Sequence, residues 1–394
     1  VKKIPSMDYL KEIPDEARTF VVMPVIVSSA EQGLNYLERL HNHYLANRQP
    51  NLYFALLADY ADAPELTMPG DELITKALVN KIHELNERYP AENQRFSLFF
   101  RYRKWNESEG YFMCWERKRG KLEEFNSWLT GTSQEETTFS LLLTDKKLRG
   151  TFKYVITLDA DSCLLRDNAA KLVGMIDHPL NRAVLDTEHR RIKEGYAIIQ
   201  PSVRNHINDR NSSAFPKIAG GQEGLVHYSS VISDIYQDVF QEGSYIGKGI
   251  YNIEVFHRVL GQQIPENRVL SHDLLESSYI KTAFTGAASI MDDFPGTVLS
   301  YAKREHRWIR GDWQLLPWLV SGKTSSKVSK WKIFDNLRRS LIPLCKLLLI
   351  ILNLVLLPDV WYLWLPIVFF SDIFGLVIML TSVISYKIKR PKLA

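Results

Sequence analysis

The chain has 394 residues, 45% hydrophobic and 24% charged, with a formal net charge of +4. That length can bury a sizeable core, and that composition excludes a disordered or fibrous chain. Three cysteines, Cys114, Cys163 and Cys345, are too few and too scattered for a disulfide framework or zinc site, and read as free thiols in a reducing compartment.

The start, Val1-Lys2-Lys3-Ile4-Pro5, lacks the apolar run of a signal peptide and lacks an initiator Met, which predicts a piece of a longer protein. Thr19 to Val27 is apolar and β-branched, the mark of a first buried strand. Ser28 and Ser29 supply caps for a helix over Ala30 to Asn47, whose apolar positions recur at helical spacing. A second strand, Leu52 to Ala58, ends at Asp59, with Asp62 close behind. Strand, helix, strand predicts a parallel sheet with a right-handed crossover. An acid at that strand end can accept a hydrogen bond from a nucleotide base or ribose, so Asp59 is a candidate; a solvated loop acid is the plainer alternative.

A helix around Asp71 to Tyr89 and a strand over Phe96 to Arg103 come next. Then Arg117, Lys118, Arg119 and Lys121 crowd around Gly120 at an expected helix start. Helix N-termini and cationic side chains both favour phosphate, which makes Lys118 and Lys121 candidates for a diphosphate. A charge run of this kind is also commonly a solvated face.

Tyr154 to Leu158 reads as a buried strand that ends in Asp159-Ala160-Asp161. Side chains at i and i+2 of a strand share a face. Two carboxylates just past a strand's carboxyl end can hold Mg²⁺ or Mn²⁺, in the crevice where open α/β sheets bind ligands. The same pair also fits an ordinary loop cap. Asn168 to Ile176 then reads as a helix, and Gly195 to Pro201 as another strand.

In the second half, Gly243, Gly247 and Gly249 permit close backbone approach or positive φ, and Tyr245 and Tyr251 offer flat faces to sugar rings. An ordinary turn explains the same stretch. In Ser271-His272-Asp273-Leu274-Leu275-Glu276, either Ser271 or Asp273 can cap a helix. Arg304 and Arg307, at i and i+3, share a helix face suited to a diphosphate, and Trp308 can stack on a sugar. A salt-bridged amphipathic helix is the bland alternative.

Leu341 to Leu357 is apolar apart from Lys346 and Asn353 and would span roughly 25 Å. A second apolar stretch, Val360 to Ile384, carries Asp372, with Trp361, Tyr362 and Trp364 where an interfacial belt belongs. A buried hydrophobic hairpin is the competing explanation. Lys323, Lys327, Lys330, Lys332, Arg338 and Arg339 precede the first stretch, and Lys387, Lys389, Arg390 and Lys392 follow the second. The positive-inside rule then puts both ends, and the preceding domain, in the cytoplasm. Val328 to Arg339, with Trp331, Phe334 and Leu337 against its basic residues, suits a membrane surface. Basic residues gathered beside these segments, with no broad patch elsewhere, argue against a nucleic-acid partner.

The ordered series Asp159-x-Asp161, Asp273, Arg304-x-x-Arg307-Trp308 resembles the D-x-D, (E/D)D and (Q/R)xxRW series of processive inverting glycosyltransferases, which include cellulose, chitin and hyaluronan synthases. It is more similar to the glycosyltransferase domain of cyclic β-1,2-glucan synthases. Trp115 to Glu123, Gly243 to Tyr251, Ser271 to Glu276 and His306 to Asp312 all look like that family's blocks, and the likeness covers roughly residues 15 to 345. Arg304 in place of Gln, and His272-Asp273 in place of two acids, depart from the cellulose and hyaluronan enzymes.

The resemblance implies a GT-A-type α/β domain, a mixed and mostly parallel sheet flanked by helices, over residues 1–322. An interfacial helix over 323–340 and two transmembrane helices over 341–394 would follow, making a multi-pass inner-membrane protein. It implies glucose transfer from UDP-glucose to a growing β-1,2-glucan with inversion. Asp161, helped by Asp159, would hold Mg²⁺ or Mn²⁺; Asp273 would be the base; Arg304 and Arg307 would grip the diphosphate; Trp308 would line the acceptor site. The implied partners are a UDP-sugar donor, a glucan acceptor, the lipid bilayer, and further membrane and phosphorylase-like regions of a longer polypeptide. The same chemistry on another glucan, and a non-catalytic nucleotide-sugar-binding subunit, stay open at this point.

Overall fold

The computed structural model describes residues 3–131, 137–186, 191–205, 215–216, 234–261, 263–269, 272–321, 326–360, 362–363, 365–366, 368–370, 373 and 377. Two compact units divide the chain, Val1–Ile333 and Phe334–Ala394.

The first unit is built on one nine-stranded sheet. Its opening strands are β1 (Thr19–Val27), β2 (Leu52–Tyr60) and β3 (Phe96–Arg101), paired in parallel. The pair β4 (Lys104–Asn106) and β5 (Tyr111–Met113) forms a small hairpin apart, as does the pair β9 (Val184–Asp186) and β10 (Arg191–Glu194). The main sheet takes in β6 (Phe139–Leu143), β7 (Tyr154–Thr157), β8 (Ser162–Leu164), β11 (Ile198–Asn205), β12 (Gly249–Asn252) and β13 (Thr282–Asp292). Their order is β6-β3-β2-β1-β7-β12-β11-β13-β8. Strands β3, β2, β1, β7, β11 and β13 run one way, while β6, β12 and β8 run against them. The expected mixed, mostly parallel α/β sheet is what forms.

Strands β1 and β2 are buried almost throughout, so they show no in-out alternation of polarity. Val21, Met23 and Val25 join the main core with Leu37 and Leu40 of α1 (Ala30–Ala46) and Leu78 and Ile82 of α2 (Asp71–Arg88). Phe20 points the other way, toward Phe125 of α3 (Arg117–Thr130), with ring centroids 5.5 Å apart. Ser29 caps α1 by accepting the Gln32 N–H, which selects one of the two expected caps. Helix α4 (Asn168–Asp177) follows β8. Later helices are α5 (Ile235–Phe240), α6 (Ile253–Leu260), α7 (Asp273–Tyr279), α8 (Val298–Gln314), α9 (Leu316–Ser321) and α10 (Lys327–Leu356).

Several boundaries differ from the expectation, each for a local reason. Strand β2 runs on to Tyr60, so Asp59 lies inside it. Strand β3 stops at Arg101, because Arg103 leaves the ladder to pair with Asp71 at 2.6 Å and bond the Ala61 carbonyl. The strand expected over Gly195 to Pro201 begins at Ile198 and continues to Asn205 alongside β13. The stretch Val328 to Arg339 and all but the last residue of Leu341 to Leu357 form one continuous helix, α10, with Pro343 inside it. It is one helix long and apolar enough to cross a membrane. Most of the second expected span, Val360 to Ile384, including Trp361, Trp364 and Asp372, lies outside the described residues.

Candidate active site

The carboxyl ends of the parallel strands meet at one edge, and β12 begins there, since Gly249 pairs with Thr157. The loop entering β12 is thereby brought beside the residues leaving β7. Those residues do not continue the strand. The Ser162 N–H returns to the Asp159 carbonyl at 3.0 Å, so Asp159-Ala160-Asp161 is a tight turn into β8.

The two acids of that turn have different surroundings. Asp159 Oδ1 accepts from Lys118 Nζ at 2.6 Å, and its Oδ2 lies 3.1 Å from Lys248 Nζ. Burial alone would raise the Asp159 carboxyl; the two ammonium groups overcome it and hold the group well below the carboxylate range. Lys118 also donates to the Gly247 carbonyl at 3.0 Å. Asp161, by contrast, is exposed and makes no ion pair among the described residues.

Asp273 opens α7, with His272 in the N-cap position and no side-chain cap, so the expected cap by Asp273 does not form; Ser271 lies outside the described residues. Gly247 has φ +80°, and a Cβ there would stand 2.6 Å from Asp273 Oδ1, so the absent side chain lets the loop press against the carboxylate. That Oδ1 is buried and has no hydrogen-bond partner among the described residues, which leaves an unspent acceptor. His272 Nδ1 lies 2.9 Å from Glu276 Oε1 and 3.6 Å from Asp273 Oδ1. Burial would lower His272, but the Glu276 and Asp273 carboxylates raise it above the usual histidine value.

Arg304, on α8, is half-buried against the rings of Phe294, Tyr301 and Trp308, with the Trp308 centroid 4.8 Å away. Its Nε is buried without a hydrogen-bond partner among the described residues, and the charges of Asp161 and Asp292 act on it. Arg307 is exposed on the same helix and holds no partner among the described residues. Thus Asp159, Asp161, Asp273, Lys118 and Arg304 converge, Trp308 supports Arg304, and Arg307 is not drawn into the cluster.

Two expected nucleotide contacts face inward. Asp59 is 1% exposed; its oxygens accept from Arg101 Nε at 2.7 Å and Nη2 at 2.9 Å, with Lys121 Nζ 3.0 Å away. Lys121 also donates to the Val25 carbonyl. The extra length of β2 turns Asp59 into the core, where both side chains brace α3 behind the site. Tyr245 and Tyr251 are likewise buried, and Tyr251 donates to Asn126 Oδ1, so neither ring is open to a sugar.

Three participants were not singled out by sequence reasoning. Lys248 reaches both Asp159 and Asp292, and Asp292 Oδ1 accepts from Ser162 Oγ at 2.8 Å. A signal for Asp292 existed: Ile290-Met291-Asp292-Asp293 repeats the pattern of an apolar strand ending in acids.

A hard divalent cation fits the donor chemistry at Asp161, an exposed carboxylate that makes no ion pair among the described residues. Asp159 can contribute only an oxygen released by Lys118 or Lys248.

No family model matches the chain. Over 344 residues, 86% of its length, it is 40% identical to the cyclic beta-(1,2)-glucan synthase NdvB of Rhizobium meliloti (strain 1021). The matched part is 12% of that protein, so the chain spans about an eighth of its relative's length.

Proposed function

We propose that this chain, a relative of a cyclic β-(1,2)-glucan synthase, is a metal-dependent inverting glycosyltransferase that moves glucose from UDP-glucose onto a growing β-1,2-glucan. One observation carries the reading: Lys118 Nζ donates to Asp159 Oδ1 at 2.6 Å and to the carbonyl of Gly247 at 3.0 Å, and Gly247 packs directly on the Asp273 carboxylate, so the D-x-D turn and the base motif, far apart in the chain, share one cluster.

Asp273 takes the proton from the acceptor hydroxyl as its oxygen bonds to the anomeric carbon. The bond from that carbon to the diphosphate breaks on the opposite face. A single displacement inverts the centre and needs no enzyme nucleophile. The unspent Oδ1 of Asp273 supports this role. Lys118, at the start of α3, and Arg304, whose Nε has no partner among the described residues, supply positive charge for the diphosphate, and Arg307, exposed on the same helix as Arg304, is a further candidate for it. Mg²⁺ or Mn²⁺ held by Asp161, with Asp159 beside it, would neutralise charge on the departing UDP. In this reading the reaction runs at the cytoplasmic face of a membrane, supported by the apolar helix α10 and the basic residues around it in sequence.

The test is UDP release from UDP-glucose, with and without EDTA, followed by linkage analysis of the product. Release that needs a divalent ion, and β-1,2 linkages, are expected. Asp273→Asn should lower transfer by roughly 10²- to 10⁴-fold while UDP still binds. Full activity in that variant removes Asp273 as base; UDP binding without turnover in the unaltered chain leaves only a binding module.

A further inference from the structure

We propose that Lys248 is a positioning residue that keeps Asp159 engaged and thereby reserves Asp161 as the open carboxylate for the metal. The proposal rests on the glycosyltransferase reading above and goes beyond it.

Lys248 stands between Gly247, at φ +80°, and Gly249, at φ +151°. Those two backbone conformations exclude most side chains on either side of the lysine, and they let the chain pack closely on Asp273 and on the Ile199 carbonyl. The lysine side chain is sent inward, and the residue is only 5% exposed. Its ammonium pairs with Asp159 Oδ2 at 3.1 Å and with Asp292 Oδ2. Asp292 is itself buried, and its other oxygen accepts from Ser162 Oγ at 2.8 Å.

These contacts make a closed brace. Asp159 begins the turn and Ser162 ends it, and both are tied to the end of β13 through Lys248 and Asp292. Only Asp161, between them, is left without an ion pair among the described residues. Lys118 occupies the remaining Asp159 oxygen at 2.6 Å. A salt-bridged carboxylate is a poor ligand, because a cation must first displace the ammonium group. The brace therefore decides which acid of the D-x-D turn is available, and it offsets repulsion among three neighbouring carboxylates before any metal arrives.

Removing the ammonium group frees an Asp159 oxygen for the same cation. Lys248→Met should consequently bind Mn²⁺ more tightly while transferring glucose more slowly, because the ion is then shared between two acids. A brace that serves folding alone would weaken or leave unchanged the binding of Mn²⁺.

The experiment titrates Mn²⁺ into the full chain in detergent and follows free Mn²⁺ by electron paramagnetic resonance, alongside UDP-release kinetics. Lys248→Met is expected to lower the Mn²⁺ Kd about tenfold and kcat by 10- to 100-fold, with little change in KM, in the range of outer-shell effects on metal sites. An equal or higher Kd in the folded variant overturns the proposal. Should Lys248→Met fail to fold because Asp292 is left bare, Lys248→Met with Asp292→Asn removes that charge. It is held to the same expectation and the same overturning result. An unaltered chain that neither binds Mn²⁺ nor releases UDP sinks the glycosyltransferase reading itself, whereas an active one whose variant binds no tighter sinks only the brace.

Discussion

His43 shows how one buried side chain sets a condition on the whole domain. It sits on α1, 3% exposed, and its Nδ1 accepts the Leu164 N–H at 3.3 Å, while Nε2 has no partner among the described residues. Burial, reinforced by the charge of Arg39, lowers its pKa to about 4. The folded chain keeps His43 neutral where the unfolded chain, titrating near 6.5, takes up a proton. Stability is therefore unaffected by this group above about pH 6.5 and falls as pH drops toward 4, by up to about 3 kcal/mol. Denaturant titrations at pH 7, 5 and 4 should show that loss. His43→Asn, which can still accept the Leu164 N–H, should make the decline shallower; an identical decline in both proteins would assign the acid sensitivity to other groups. Asp159, Asp161, Asp273 and Arg304 could be picked out as candidates from residue type and spacing, and the fold gathers them into one cluster. Which way each one faces was not legible. Asp59 reads like Asp159, a strand-end acid, yet Arg101, 42 residues away, claims it. Lys248 and Asp292 meet across 44 residues, a separation at which local pattern says nothing of pairing.

Elements were legible in proportion to how far their own residues decide them. Strand β1 and helices α1 and α2 form nearly where apolar runs, caps and helical spacing put them. The order of β12, β11, β13 and β8 depends on long-range pairing, and the edge where they meet is what assembles the site. The loop into β12 shows the consequence. Gly247 lies in the left-handed region, where a side chain costs roughly 1 kcal/mol or more, and its missing Cβ leaves room for Asp273. Gly247→Ala therefore strains the loop and also pushes on Asp273, the proposed base. A displacement near 1 Å at a reacting group can cost about 10²-fold in rate. Gly247→Ala should lower kcat by that order with UDP affinity nearly unchanged, read by UDP-release kinetics beside a UDP binding isotherm. Near-normal kcat would mean that the loop yields and Asp273 stays in place.

At the scale of the molecule, the two units make different demands on their surroundings. The sheet unit buries a large apolar core, and Ile333 at its end is fully buried. Lys332, expected at a membrane surface, is instead 2% exposed and donates to the Gly243 carbonyl at 2.7 Å, with Ile333 fully buried next to it. The unit boundary falls after Ile333, inside α10. Beyond it Leu344, Leu347, Leu348, Leu352 and Leu356 are all exposed. So long an apolar face in water would drive aggregation, and a lipid bilayer would remove that penalty. At about 1.5 Å per residue, the part of α10 beyond Ile333 is roughly 35 Å long, against a hydrocarbon core of about 30 Å. A lysine near the centre of such a span costs about 2.5–3.5 kcal/mol. Leu348→Lys with Leu352→Lys should thus move the chain out of the carbonate-washed membrane fraction, while each replacement alone moves part of it. If the double variant stays with the membranes as fully as the unaltered chain, α10 is not what holds the protein there.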